Sequence, residues 1–269
     1  MVRDVECPRP ESRSCGVWRG IRAGFRLSVM LLWSSGLLIS ALPTLLLPRR
    51  VRIHTGAWFT ILWARGCRAV MRLHVTTVPS SVPQMRGGLI VSNHVSYLDI
   101  FVHASLFKVR FAPKIEMKRW PLVGPMTAFS NPVWIDRTHR SRSADSEREM
   151  QEALLGVVPL LVYPEGTNSD GTALLPFKST VFEAVLQSGA AIRPMVSHYS
   201  PAADGTQIPW VGHSGLLPHL LRVLGLKDIY CKVYIMDTVV PGECGRKELA
   251  LQLHDKMQDF LQKKVAEDA

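Results

Sequence analysis

A chain of 269 residues with 47% hydrophobic and 20% charged side chains has room for one large domain with a short appendage, and is too apolar to stay disordered. Its five cysteines (Cys7, Cys15, Cys67, Cys231, Cys244) are odd in number, scattered and without a C-x-x-C pair. That argues against a disulfide framework or structural zinc and for a reducing compartment. The 32 Lys and Arg against 22 Asp and Glu leave a charge of +10, so an anionic partner is expected: nucleic acid, an acidic membrane surface or phosphate-bearing substrates.

The chain opens with six arginines (Arg3, Arg9, Arg13, Arg19, Arg22, Arg26) in 26 residues, followed by a charge-free run from Leu27 to Leu47. That length permits a bilayer crossing. Arg49, Arg50 and Arg52 follow at once, so both flanks are positive and a segment that enters and leaves on one side fits better. Pro43 breaks or kinks the helix near its end, and AWFTILWARGCRAVM (57–71) forms a second, arginine-interrupted apolar segment. The expectation is a helical pair, residues 1–74, anchored in the cytoplasmic leaflet; a buried core helix is the plainer alternative, and a cleaved signal peptide fits less well.

From about Val75 the pattern becomes α/β. GLIVSN (88–93), VRFAP (109–113), PVWID (132–136), VPLLVYP (158–164), AIRPMVS (191–197) and DIYCKVYIM (228–236) read as strands. LDIFVHASLF, SADSEREMQEALL and KSTVFEAVLQSG carry helical spacing between them, and a charged amphipathic helix closes the chain. The predicted fold is a mixed, largely buried sheet flanked by helices over residues 75–269, behind the helical membrane anchor.

In IVSNHVSYLDIF, His94 and Asp99 are five residues apart. His254 and Asp259 share that spacing inside the last predicted helix, where five residues turn through about 500° and leave the side chains about 140° apart. At the first site a strand ends near Asn93 and Ser96 with Asp99 resembles a capping box, so a helix is expected to start between the pair and let His94 fold back onto Asp99. Such a histidine can take a proton from a hydroxyl while the carboxylate fixes its tautomer. Two other readings remain open: a metal site that adds His103, and a strand-end histidine that only caps the helix.

NHVSYLD resembles the N-H-x-x-x-x-D motif of the glycerolipid acyltransferases typified by 1-acyl-glycerol-3-phosphate acyltransferase. APKIEMKRWPLVGPMTAFSNPVWIDR resembles their second block, with Lys114 after a strand, Pro121 and Gly124 in a turn and Arg137 at the end. VYPEGTNSDG resembles the third, usually F-P-E-G-T-R-S, and IRPM (192–195) stands in the place of the fourth. The resemblance implies that His94 activates an acceptor hydroxyl for attack on the thioester of acyl-CoA or acyl-carrier protein, with Asp99 orienting it and no further cofactor or metal. It implies head-group contacts from Arg137, helped by Lys114, and substrate contacts from Glu165, Gly166, Thr167 and Asn168, where Gly166 permits close backbone approach and Thr167 offers donors to phosphate or the developing oxyanion, although Glu165 reads equally as a brace of its turn and Arg137 as a solvated residue of the run DRTHRSR. Asn168 replaces the family's usual arginine and is similar to the G-T-S-S-D-G version of lyso-ornithine-lipid acyltransferases, with Lys178 a candidate replacement for the lost charge.

The expected partners are therefore membrane lipids, a lysolipid acceptor and a thioester donor, at the cytoplasmic face of the inner or plasma membrane. A serine hydrolase using Ser214 fits poorly, because Leu216 stands where G-x-S-x-G needs its second glycine. A non-catalytic binder of lipid or nucleic acid is the other class. Arginines beside apolar segments favour lipid, and no helix-turn-helix, zinc finger or RNP-like block supports nucleic acid.

Overall fold

In this computed structural model, which describes residues 13–120, 123–135, 140–212 and 215–268, the chain starts as a helical hairpin. Helix α1 (Arg13–Ala41) runs into a 3-10 turn (Leu42–Leu46) and returns as α2 (Arg49–Met71). Pro43 sits in the first turn of the 3-10 segment and Pro48 caps α2, so the two prolines stop one helix and start the next. The arms interlock through their tryptophans: Trp63 Nε1 donates to Ser34 Oγ at 2.9 Å, and a Cβ on Gly66 would lie 2.2 Å from the Trp33 ring.

The remaining elements are β1 (Leu73–Val78), β2 (Leu89–Ser92), α3 (Leu98–Leu106), β3 (Arg110–Phe111), α4 (Val123–Phe129), α5 (Arg140–Leu154), β4 (Leu160–Val162), α6 (Thr180–Ser188), β5 (Ile192–Tyr199), α7 (Leu216–Leu224), β6 (Ile229–Ile235) and α8 (Arg246–Asp268). They build one six-stranded sheet in the order β1-β6-β5-β2-β4-β3, parallel throughout except between β5 and β6. Period-2 alternation divides its side chains between two cores. Ile90, Leu161 and Met195 face α1, α2, α3 and α7, whereas Leu89, Val91, Leu160, Val162 and Ile192 face α5, α6 and α8. Strands β2 and β4 are buried on both faces, which is why they read as unbroken apolar runs.

The mixed α/β class and the flanking helices are as expected. Three details differ. LHVTTV forms edge strand β1, so the boundary expected at residue 74 falls inside a strand, and α1 and α2 share a buried core with β1 and α3. Of the expected strand PVWID, the described residues 132–135 run beside β3 but make a single bridge, Lys114 to Ile135; Pro113 has no N–H to continue the ladder. Gly124, expected in a turn, lies in the first turn of α4, where a Cβ would meet the Lys118 carbonyl at 2.3 Å.

The amino-terminal arginines also have a destination that composition concealed. Arg26, 6% exposed, donates to the carbonyls of Leu224, Leu226 and Lys227, and Arg22 donates to that of Gly225. Arg19 pairs with Asp204. Arg22 and Arg26 hold α1 against the carboxyl end of α7 and the turn that follows it, and Arg19 ties α1 to the loop before α7, so the charge of these three is structural.

Candidate active site

Strand β2 ends at Ser92 and α3 begins at Leu98, leaving five non-helical residues in which His94 turns back toward Asp99. His94 Nδ1 lies 2.8 Å from Asp99 Oδ2, and the same oxygen accepts the backbone N–H groups of Val95 (2.8 Å) and Ser96 (3.0 Å). The Tyr199 hydroxyl donates to Oδ1 at 2.6 Å. The expected helix start between the two residues is where the chain places it, but the cap differs. The Asp99 carboxylate gathers the amides, while the buried Ser96 hydroxyl has no partner among the described residues.

Burial would raise the Asp99 carboxyl, but the hydrogen bond and charge of His94, with His103 and Tyr199, more than offset it and hold it below the usual carboxylate range. An ionised Asp99 only accepts, so His94 must carry its proton on Nδ1, which leaves the Nε2 lone pair outward. Among the described residues no group takes Nε2, and the side chain is 17% exposed.

The turn after β4 supports this arrangement from below. Tyr163 stacks on the His94 ring at 4.1 Å and 11°, and its hydroxyl bonds His103 Nδ1 at 2.9 Å. His103 Nε2 meets the Ser197 hydroxyl at 2.9 Å, so both its ring nitrogens are taken and it does not converge with His94 and Asp99 as a metal ligand would. Burial pushes His103 down to about 4, which keeps it neutral at pH 7.

Glu165, 2% exposed, accepts His94 N–H on Oε1 (2.7 Å) and Leu175 N–H on Oε2 (2.9 Å). Both oxygens therefore accept backbone N–H groups, which ties the His94 loop to the turn after β4. Burial raises this carboxyl even against those hydrogen bonds. Ser169 N–H closes the link by donating to the His94 carbonyl at 2.7 Å.

The other expected contacts are placed unevenly. Gly166 has φ +71°, the left-handed region open to glycine, and its N–H is spent on the Tyr163 carbonyl. It offers close approach and no free amide donor. Thr167 is exposed, and Asn168 holds a buried Nδ2 without a partner among the described residues. Lys114 is exposed beyond β3, its backbone bridged to Ile135; Lys178 is exposed, with its amide on the Pro164 carbonyl. Pro121, Arg137 and Ser214 lie outside the described residues.

Tyr199 lies two residues beyond the expected strand end at Ser197. Continuing the alternation from Met195 through Ser197 to Tyr199 puts all three on the face that carries α3, and that was the available signal.

Residues 74–198 match the family described as Acyltransferase. The chain is 29% identical over 210 residues to 1-acyl-sn-glycerol-3-phosphate acyltransferase of Neisseria gonorrhoeae, covering 78% of this chain and 81% of that protein. It is 30% identical over 189 residues to lyso-ornithine lipid O-acyltransferase of Brucella abortus, covering 65% and 71%. The fold matches the crystal structure of the 1-acyl-sn-glycerophosphate acyltransferase PlsC from Thermotoga maritima with a TM-score of 0.66 at 19% identity, over 93% of this chain and 96% of that one. With an N-H-x-x-x-x-D loop closed onto itself and relatives of this similarity, the chain belongs to the acyltransferase family and is an acyltransferase.

Proposed function

We propose that the protein is a membrane-bound lysolipid O-acyltransferase that moves a fatty acyl group from acyl-CoA or acyl-carrier protein to the free hydroxyl of a 1-acyl-sn-glycerol-3-phosphate type acceptor. The observation that carries this reading is the His94 imidazole, fixed on Nδ1 by Asp99 and open at Nε2. Nε2 takes the hydroxyl proton as the acceptor oxygen attacks the thioester carbonyl. The C–S bond then breaks, and the imidazolium returns that proton to the leaving thiolate. Asp99 holds the tautomer and stabilises the imidazolium. The Thr167 amide and hydroxyl are the candidate donors to the oxyanion, since the Gly166 amide is spent. Lys114 and Arg137 are proposed to hold the anionic head group in the bidentate or point-charge manner of their side chains.

Asn168 supports a second acceptor, a lyso-ornithine lipid. Its amide supplies a hydrogen-bond donor but no fixed charge, and an amino-acid head group carries its own cation. Attachment on the cytoplasmic face is part of the proposal; that it runs through the hairpin is supported by the hairpin's surface. Gly16–Leu46 is the one helical stretch among the described residues long and apolar enough to cross a bilayer, and only 22% of it is buried. Leu32, Ile39, Leu42, Leu45, Leu46 and Trp58 point outward there.

Thioester consumption by the purified protein in detergent, offered each acceptor in turn and followed by lipid mass spectrometry, decides between them. Turnover with lysophosphatidic acid assigns the phosphate acceptor; turnover with lyso-ornithine lipid alone assigns the other. Activity with neither removes both.

A further inference from the structure

Beneath the tip of the hairpin lies a cavity of about 200 Å³ whose lining includes Arg49, Arg52, Arg110, Asn131, Trp134 and Glu149. It is separate from the His94 site. Arg110 and Leu89 both pair with Leu160 at the starting ends of the parallel strands, whereas His94 lies past the opposite end of β2, whose last residue, Ser92, is roughly 10 Å along the strand from Leu89.

The cavity is built around Asn131, a non-glycine residue at φ +50°. Its Oδ1 accepts Arg52 Nε (3.2 Å), its Nδ2 donates to the Arg52 carbonyl (3.1 Å), and its own carbonyl accepts Arg110 Nε (2.6 Å). Both guanidinium groups are thus held by their Nε edge; a terminal nitrogen of Arg110 faces Glu149, whereas the terminal pair of Arg52 meets no carboxylate among the described residues. The Arg110 side chain is 6% exposed. Glu149 lies 3.9 Å from Arg49 and 3.7 Å from Arg110, and Glu152 lies 3.0 Å from Arg49. Among the described residues three arginines face two glutamates, which leaves one positive charge over. It belongs to Arg52, which has no carboxylate partner among the described residues.

The surroundings indicate the source of the anion. Leu46, 90% exposed, and Leu47 directly precede the cap of α2, so an apolar tip stands within one helical turn of Arg49 and Arg52. Trp134 adds an amphipathic ring of the kind that sits at head-group depth. We infer that this cavity binds the phosphodiester of an anionic membrane lipid, one negative charge for one unpaired arginine, and so docks the hairpin tip at a set depth and tilt, apart from the acceptor site.

Flotation of the full chain tests this with phosphatidylcholine vesicles charged either by phosphatidylglycerol or, to the same surface charge, by oleate. High salt suppresses diffuse attraction. The expected result is about tenfold tighter binding to the phosphatidylglycerol vesicles at high salt. Arg52→Gln is expected to lose that preference, and Arg50→Gln, on an exposed side chain outside the cavity, to keep it. Equal binding of the unmodified protein to both vesicles overturns the proposal without any variant, as do equal losses from the two substitutions. Stabilisation by inorganic phosphate with no lipid preference assigns the cavity to a soluble anion and also overturns it. None of these readouts depends on acyl transfer.

Discussion

His94 with Asp99 and His254 with Asp259 have the same spacing, and only the first pair meets. In α8 the backbone is helical throughout, and His254 bonds Asp255 and the Leu174 carbonyl. Between β2 and α3 the chain is non-helical from Asn93 to Tyr97, and Asp99 collects the imidazole and two backbone amides on one oxygen. A five-residue interval therefore carries no chemistry by itself. What makes a site of it is a helix that starts inside the interval, with a buried carboxylate that its amide and hydroxyl donors hold facing the imidazole.

The largest test of that contrast is deletion of each imidazole. His94→Ala is expected to lower acyl transfer on the order of 10⁴-fold while leaving the melting temperature within a few degrees, and His254→Ala to leave transfer unchanged. Retained turnover in His94→Ala, measured as thiol release, would defeat the mechanism. Next in size, Asp99→Asn keeps the shape but sets an amide where four donors converge. Transfer is expected to fall on the order of 10³-fold and stability by about 1 to 3 kcal/mol, whereas Asp259→Asn stays within about 0.5 kcal/mol of the parent. Equal denaturation midpoints for the two variants would contradict the difference drawn between them.

The smallest effect extends the contrast to a third histidine, buried rather than exposed. His103 sits at about 4 in the folded protein against an ordinary 6.5. Between those values the unfolded chain binds a proton that the native chain does not, so stability falls as pH drops through 6.5, and the loss from this group is complete near 4. The difference amounts to at most about 3 kcal/mol. Asp99, held low, adds its own loss further toward acid, and Glu165, held high, acts in the opposite sense. Urea midpoints between pH 7 and 4 are expected to slope downward in the parent and less in His103→Gln. Parallel slopes would mean that His103 is not kept neutral.

Much of this was legible in one dimension. Apolar runs on β2 and β4, the charge-free stretch after Arg26, and a histidine followed by an aspartate across a strand-to-helix junction are local patterns, and local patterns respond to backbone period and to the few residues that start or stop a helix. The site's supports were not. Tyr199 reaches Asp99 across 100 residues, Ser197 reaches His103 across 94, and Asn131 gathers Arg52 from 79 residues away, because the strand order β5-β2-β4-β3 and the packing of α2 put those elements side by side. The sequence alone determined which side chains had the chemistry to take and return a proton. Tertiary structure decided which arginines were spent on helix carbonyls, which glutamate accepted two backbone amides and which imidazole nitrogen stayed open, because a hydrogen bond depends on where its partner lies in space and not on its distance along the chain.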